Sequence, residues 1–155
     1  METERLAEWI QKAGKKEKIS EFQYPFADDV YVELAYASKF VFQQIREVAR
    51  EMFTNPRTRQ QEERLNEDKL RTEYAKHVVK GWRGLTVKKL KIMIPCFGPE
   101  GEFTEETEIP FSIAVSRAIM EVSIDFESWI LDTASNVQNF AHVAERKKEQ
   151  LENLV

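Results

Sequence analysis

The stretch Tyr74-Ala-Lys-His-Val-Val-Lys-Gly-Trp-Arg-Gly-Leu85 predicts the end of a helix that presents Trp82 where it stops. Two glycines flank this tryptophan, Gly81 and Gly84, and glycine commonly ends helices because it adopts left-handed angles without a Cβ clash. Tryptophan supplies a large apolar area and one N–H that needs an acceptor when buried. The pattern favours a core tryptophan that locks the helix end beneath the C-terminal helices. The alternative is an anchor for a partner protein.

The composition is typical of one soluble domain. A chain of 155 residues is long enough to bury its own core. The single cysteine, Cys96, excludes an internal disulfide and a multi-cysteine zinc site. The N-terminus lacks the basic start and apolar core of a signal peptide, and no run approaches the ~20 apolar residues of a membrane span. We therefore expect a cytoplasmic protein without a membrane partner.

The charges are nearly balanced, with 23 basic and 27 acidic residues, but they are unevenly distributed. Residues 71–91 are mainly basic, and residues 100–127 are mainly acidic. The balance does not favour a general nucleic-acid binder. We expect the two segments to face each other or to be solvated; the alternative is a polar surface that docks a protein.

The first third of the chain predicts a helix, a hairpin and a second helix. Residues 3–13 have apolar positions at helical spacing, and a linker follows. Residues 21–36 alternate apolar and polar side chains on both sides of a turn, which predicts a β-hairpin whose apolar face a helix should cover. Ser38 is a good N-cap for a helix over residues 38–53.

The middle of the chain has weaker signals. Residues 57–69 are polar and predict a loop or an exposed helix, within which Asn66 is positioned to cap the helix that leads to Trp82. Residues 90–94 alternate and predict a strand. Residues 97–101 combine glycine and proline and predict a break between elements.

The last third predicts helices again. Ile109 and Phe111 suggest a short edge strand, because Pro110 removes a donor. Ser112 should cap a helix that reaches Val122, and Asp125 should cap a long helix over residues 126–144.

Together these elements predict an α+β, mainly α-helical fold, in which an N-terminal β-hairpin packs with about four to five helices. Residues 1–20 form the first helix and its linker, residues 21–144 form one globular domain, and residues 145–155 form a polar tail.

The sequence gives little support for an enzyme or a cofactor. It contains no glycine-rich phosphate loop and no zinc-protease motif. Glu73 and His77 lie one helical turn apart, which is half of a metal site at most, and no second pair completes it. Cys96 would need His77 or His142 as a base, and nothing in the sequence brings either nearby. We therefore expect a protein without catalytic residues, metal or cofactor.

Nucleic-acid binding is the runner-up function. Trp82 and Arg83 stand beside Lys80 and Lys88, and single-strand binders mix aromatic and basic groups in this way. The net charge of −4 argues against it. A small regulatory or nucleic-acid-binding protein therefore remains the alternative.

Four segments follow one another along the chain: Tyr24-Pro-x-x-Asp-Asp-Val-Tyr-Val-x-Leu34, Val78-Val-Lys-Gly-Trp-Arg-Gly-Leu85, Glu108-Ile-Pro-Phe-Ser112 and Asp125-Phe-x-x-Trp-Ile-x-x-x-Ala-Ser-Asn-Val-x-Asn-Phe140. In this order they resemble the tail assembly chaperones of long-tailed bacteriophages and prophages, over roughly residues 20–141.

The resemblance implies a binding protein that acts in the cytoplasm of the bacterial host and is absent from the mature virion. Its implied partners are the tape-measure protein and the tail-tube protein, with a homo-oligomer left open. The candidate partner-binding or family-motif residues are aromatic apart from one arginine: Trp82, Arg83, Phe111, Phe126, Trp129 and Phe140.

Overall fold

The computed structural model describes residues 2–96 and 103–141 of the chain. Within these ranges the elements are, in order, α1 (Glu2–Gly14), β1 (Ile19–Gln23), β2 (Tyr31–Ala35), α2 (Lys39–Ala49), β3 (Arg50–Thr54), β4 (Gln61–Leu65), α3 (Glu67–His77), β5 (Val79–Arg83), α4 (Val87–Met93), α5 (Ile113–Val122), α6 (Ile124–Ser135) and α7 (Gln138–Ala141). The predicted tail over residues 145–155 and the predicted break over residues 97–101 lie outside the described residues.

The predicted N-terminal hairpin is confirmed, but a third strand joins it. Strands β1 and β2 pair antiparallel with Phe22 opposite Val32. Strand β5 pairs antiparallel with the other edge of β2, where Val32 lies opposite Trp82. The sheet order is therefore β1-β2-β5. Val32 in the central strand is buried, as a residue with strands on both sides and helices on one face should be.

The prediction of a helix that ends at Trp82 was wrong. Helix α3 stops at His77, and the chain continues directly into β5. Val78 and Val79 are both fully buried, and β-branched side chains pack well on a pleated sheet. Gly81 lies inside the strand, where a Cβ would meet the Glu33 carboxylate at 3.3 Å. A four-residue spacing, which predicted a continuing helix from Val78 to Trp82, also places two side chains on one face of a strand.

Gly84, in contrast, is needed for its backbone conformation. Its φ of 78° lies in the left-handed region, and a Cβ there would collide with the Asp29 carbonyl oxygen. The glycine lets the chain pass closely over the β1–β2 turn after β5 ends.

A second hairpin was not predicted at all. Strands β3 and β4 pair antiparallel from Arg50 opposite Leu65 to Thr54 opposite Gln61. Residues 50–53 were predicted as the end of α2, and residues 57–69 as a loop or exposed helix. The Asn55 side chain accepts a hydrogen bond from the Arg57 N–H at 2.9 Å, so the Asn-Pro pair turns the chain between two strands as well as ending the helix.

The core lies between the three-stranded sheet and the helices α3, α5 and α6. The largest fully buried side chains include Tyr24, Leu34, Ile45, Met120 and Phe126. Helix α6 covers the hairpin as expected: the Tyr24 ring meets the ring of Phe126 at 5.7 Å and that of Trp129 at 5.0 Å, both edge to face.

Three of the predicted N-caps are confirmed. Ser38 accepts from the Val41 N–H, Asn66 from the Lys69 N–H and Ser112 from the Val115 N–H. The fourth was misplaced, because Ser123 rather than Asp125 caps α6 by accepting from the Phe126 N–H at 3.2 Å.

Two further elements differ from the prediction. The segment expected to be a strand over residues 90–94 instead forms the end of helix α4, with Ile94 as its C-cap. Thr86 caps the start of this helix, which buries Val87 and Leu90. The long helix expected from residue 126 breaks at Asn136, whose side chain accepts from the Gln138 N–H and so starts α7. Residues 142–144 of that prediction lie outside the described residues.

The fold is thus mixed α+β, and the predicted fold class was wrong in its details. The described residues contain seven helices and two small sheets, instead of one N-terminal hairpin with about four to five helices. The extra strands, β3, β4 and β5, come from the middle of the chain.

Candidate partner-binding cleft

Trp82 is held in place by the segment that precedes α5. Its indole Nε1–H donates to the Ile109 carbonyl oxygen at 2.8 Å, which supplies the acceptor that the sequence required. Its ring meets the Phe111 ring edge to face, with centroids 5.0 Å apart. The Ile109 N–H donates to the Leu85 carbonyl oxygen at 2.8 Å. These contacts hold residues 108–112, which we call the Pro110 segment, against the end of β5 and not against the end of a helix.

The space between these two segments is an open cleft of about 410 Å³. We call it the Trp82 cleft; it is lined by Trp82, Arg83, Gly84, Leu85, Glu108, Ile109, Pro110 and Phe111. Its surface is polar and apolar in about equal parts, and the exposed side chains of Arg83 and Glu108 supply opposite charges. Three of the six predicted site residues therefore lie together here: Trp82, Arg83 and Phe111.

Arg83 is oriented by the neighbouring strands. Its guanidinium donates to both carboxylate oxygens of Glu21, at 3.0 and 2.8 Å. It also lies 4.0 Å from the ring centroid of Tyr31, a cation–π contact. Hydrogen bonding to Glu21 raises the pKa of this guanidinium. Arg83 is thus charged, and the Glu21 carboxylate already balances much of this positive charge.

The other three predicted site residues lie elsewhere. Phe126 and Phe140 are buried, and Trp129 packs against the core. The Phe140 ring meets those of Phe22 and Tyr36, each at 5.3 Å. Phe126, Trp129 and Phe140 therefore contribute to core packing, and none of them lines the Trp82 cleft.

The structure describes three of the four residues considered for catalysis or metal binding: Glu73, His77 and Cys96. His77 Nε2 lies 2.9 Å from a Glu73 carboxylate oxygen, so the pair predicted from the helical spacing does form. Within residues 2–96 and 103–141, no group of three or more His, Cys, Asp or Glu side chains could hold a metal ion. Cys96 is exposed, and His142 lies outside the described residues.

The two oppositely charged segments do face each other in part. Arg71 Nε donates to Glu127 at 3.2 Å, and Lys91 Nζ donates to Glu105 at 3.1 Å. The first pair joins α3 to α6, and the second joins α4 to the loop before the Pro110 segment. The charge asymmetry of the sequence thus serves partly to hold the fold together.

The sequence model of the YdaY prophage protein family matches residues 36–153, most of the chain. The chain belongs to this family. The match supports a phage or prophage protein, and it does not extend to the finer assignment as a tail assembly chaperone. The chain matches no curated protein and no solved structure. No helix in the described part of the chain is long and apolar enough to cross a membrane.

Every residue that lines the Trp82 cleft lies inside the region matched to the YdaY family. Glu21 and Tyr31, which orient Arg83, precede that region. The sequence reasoning missed five lining residues, all of which stand in the quoted motifs: Gly84, Leu85, Glu108, Ile109 and Pro110. Their position beside Trp82 and Phe111 was the available signal, but only the tertiary contact shows that the two motifs form one cleft.

Proposed function

We propose that this YdaY-family protein is a non-enzymatic phage or prophage tail assembly chaperone, which binds the tape-measure protein and helps recruit tail-tube subunits. It would act in the cytoplasm of the bacterial host and be left out of the mature virion. The prophage family supports the setting, and the resemblance of the four segments supports the role.

One observation carries the proposal. The Gly-Trp segment and the Pro-Phe-Ser segment, 27 positions apart at Trp82 and Ile109, are joined by the indole hydrogen bond. Two of the segments on which the resemblance rests therefore build one cleft. Its apolar side chains, among them Trp82, Ile109 and Phe111, and its charged rim suit helix-in-groove binding, in which an amphipathic helix inserts apolar side chains between polar edges. The resemblance implies a long helical client of that kind.

The alternative, a nucleic-acid-binding protein, has less support from the same surface. Arg83 is engaged by Glu21, and Lys80 lies 3.1 Å from Glu17. A single-strand binder needs a continuous positive groove beside its stacking rings. Here two of the three basic groups considered, Lys80 and Arg83, are paired with carboxylates, and Glu108 adds a negative charge to the rim.

The test is co-expression with the tape-measure protein encoded by the same prophage. We expect the client to be soluble only when this chain is present, and to co-purify with it. The variant Glu108→Lys/Pro110→Asp alters two exposed rim positions and leaves the Trp82 indole in place. We expect it to retain at most about a tenth of the co-purifying client, equivalent to about 1.4 kcal/mol of binding free energy. Thermal unfolding confirms that the variant is folded.

Glu106→Lys is the matched control, because Glu106 is also exposed, lies two residues from Glu108 and does not line the cleft. It should capture as much client as the wild type. A client that is soluble alone and never co-purifies would rule out the chaperone role. If the rim variant captures as much client as the wild type, the client binds at a surface other than the Trp82 cleft. A salt-sensitive mobility shift with DNA or RNA would favour the alternative.

A further inference from the structure

Helix α1 carries an apolar stripe that nothing in the described structure covers. Leu6, Trp9 and Ile10 are spaced at i, i+3 and i+4, and their exposed fractions are 51, 66 and 57%. No residue of this 13-residue helix is buried. A helix of this length is marginal in water by itself, and amphipathic helices normally gain their stability by packing the apolar face. The stripe therefore indicates a surface that binds a partner.

The end of this helix forms one side of a groove. The groove lies between α1 and the start of α2, and its volume is about 610 Å³. Ile10 and Phe40 supply its apolar surface, with Lys15 and Lys39 beside them. The Lys15 ammonium lies 5.3 Å from the centroid of the Phe40 ring. We call it the α1–α2 groove; none of its lining residues lines the Trp82 cleft.

The charges around the α1–α2 groove have one sign. No carboxylate lines it, and neither Lys15 nor Lys39 forms an ion pair among residues 2–96 and 103–141. In the linker that follows α1, the sequence has two further basic residues, Lys16 and Lys18. The one acidic residue in this linker, Glu17, is occupied by Lys80 at 3.1 Å.

The start of α2 adds a second, independent preference for negative charge. Its first turn contains no acidic residue, although the N-terminal end of a helix carries a partial positive charge that acidic groups normally balance. Ser38 satisfies only the Val41 N–H. A carboxylate from a partner at this end of the groove would meet both the helix dipole and the lysines.

We infer that the α1–α2 groove binds an acidic amphipathic helix of another protein. The apolar stripe of that helix would pack against Ile10 and Phe40 in the groove and extend to Trp9, which neighbours Ile10 on α1. Its acidic flanks would meet Lys15, Lys39 and the start of α2. This is a second binding surface, whose existence does not depend on what occupies the Trp82 cleft.

Fluorescence anisotropy with labelled synthetic helices tests this inference on the full chain. One 18-residue peptide carries an apolar stripe with glutamate flanks, a second has the same stripe with lysine flanks, and a third has glutamates but a scrambled stripe. We expect the first to bind at least tenfold more tightly than either of the others. Its affinity should fall as salt is raised, because exposed charges are screened.

Two variants locate the binding. Lys15→Glu/Lys39→Glu should weaken the acidic peptide at least tenfold and improve binding of the lysine-flanked peptide. Lys69→Glu/Lys76→Glu makes the same change in net charge at exposed positions of α3 and should leave both affinities unchanged. Trp9→Gln should weaken every apolar-striped peptide without lowering the unfolding temperature, because Trp9 is largely exposed.

The inference would be overturned by equal binding of the two striped peptides, or by a Lys15→Glu/Lys39→Glu variant that binds the acidic peptide as well as the wild type. It would also be overturned if the wild type forms a dimer that Trp9→Gln dissociates, since a second copy would then occupy the surface. Binding to anionic vesicles but to none of the peptides would identify a lipid ligand instead.

Discussion

Trp82 is the residue at which the structure can be tested most directly. Trp82→Ala removes the ring from its partly buried position, the edge-to-face contact with Phe111 and the hydrogen bond to Ile109. Truncating a fully buried tryptophan costs about 3–5 kcal/mol, and partial exposure lowers the share due to burial. The hydrogen bond contributes about 1 kcal/mol, and the ring contact about 0.5–1.5 kcal/mol. We expect a total loss of about 3 kcal/mol.

Trp82→Phe separates these contributions, because it keeps an aromatic ring and removes the N–H. The Ile109 carbonyl then loses its donor, and we expect a loss of about 1 kcal/mol. Urea unfolding followed by far-UV circular dichroism measures both variants, with the midpoint rather than the slope expected to change. For a chain of this size, the alanine variant should unfold about 6–12 °C below the wild type.

Trp9→Ala is the control, since Trp9 is 66% exposed and its replacement should change stability by no more than about 0.5 kcal/mol. The reasoning fails if Trp82→Ala costs as little as this control. It also fails if Trp82→Phe costs as much as Trp82→Ala, because the ring contacts would then contribute nothing. A variant that is fully stable but no longer binds its client would make Trp82 an anchor for the partner instead of a structural residue.

Two further substitutions test the turn and the core beneath the sheet. Gly84→Ala should lower the free energy of unfolding by at least about 2 kcal/mol, because alanine is strained at this positive φ and its Cβ would collide with the Asp29 carbonyl. The control is Gly14→Ala, whose Cβ would have no atom within 4 Å and which should be neutral or stabilising by up to about 1 kcal/mol. Equal effects of the two variants in urea unfolding would refute this geometry. Burial, and to a lesser extent the charge of Asp125, raise the pKa of Tyr24 from 10.0 to about 12, so the folded state holds the phenol proton more tightly than the unfolded state. This stabilisation is complete below pH 10 and is lost as the pH rises to 12, by up to about 3 kcal/mol. The unfolding free energy of Tyr24→Phe should therefore depend less on pH in this range, and an unchanged dependence would contradict the shift.

The features that the sequence predicted well are local. Ser38, Asn66 and Ser112 cap helices as expected, because an N-cap needs only a short polar side chain and the N–H three residues later. The β1–β2 hairpin was also predictable, since both strands alternate and only a short turn separates them. Such signals lie within a few residues of each other, and the rest of the fold does not need to be known.

The features that were missed depend on pairing with distant segments. Strand β4 is exposed along its whole length, so it has no apolar alternation to reveal it. It is held by β3 and by cross-strand contacts such as Arg64 Nε to Glu51 at 2.7 Å. Strand β5 was taken for a helix because Tyr74, Val78 and Trp82 continue the helical spacing. Only its pairing with β2 explains why the helix stops at His77.

The candidate site was predicted in the same partial way. Choosing aromatic residues in recognisable motifs found Trp82 and Phe111, which line the cleft, but it also chose Phe126 and Phe140, which are buried in the core. Large aromatic side chains serve both purposes, and the sequence does not distinguish them. What distinguishes them is the tertiary surroundings: the Pro110 segment leaves one side of Trp82 open, whereas Phe126 on α6 packs against Tyr24 and is buried.

The arrangement at Trp82 also suggests how a partner would be recognised. The indole N–H is already bonded to Ile109 within the same chain, so a client gains no hydrogen bond from it. Under the proposed function, its contribution to binding would be to hold the Pro110 segment and β5 at a fixed separation before a client binds. A preformed cleft avoids the cost of ordering side chains during binding. Affinity should then depend on the exposed rim, at Glu108 and Pro110, and stability should depend on Trp82. For this reason the rim variant and the tryptophan variants are expected to have separable effects on client capture and on unfolding.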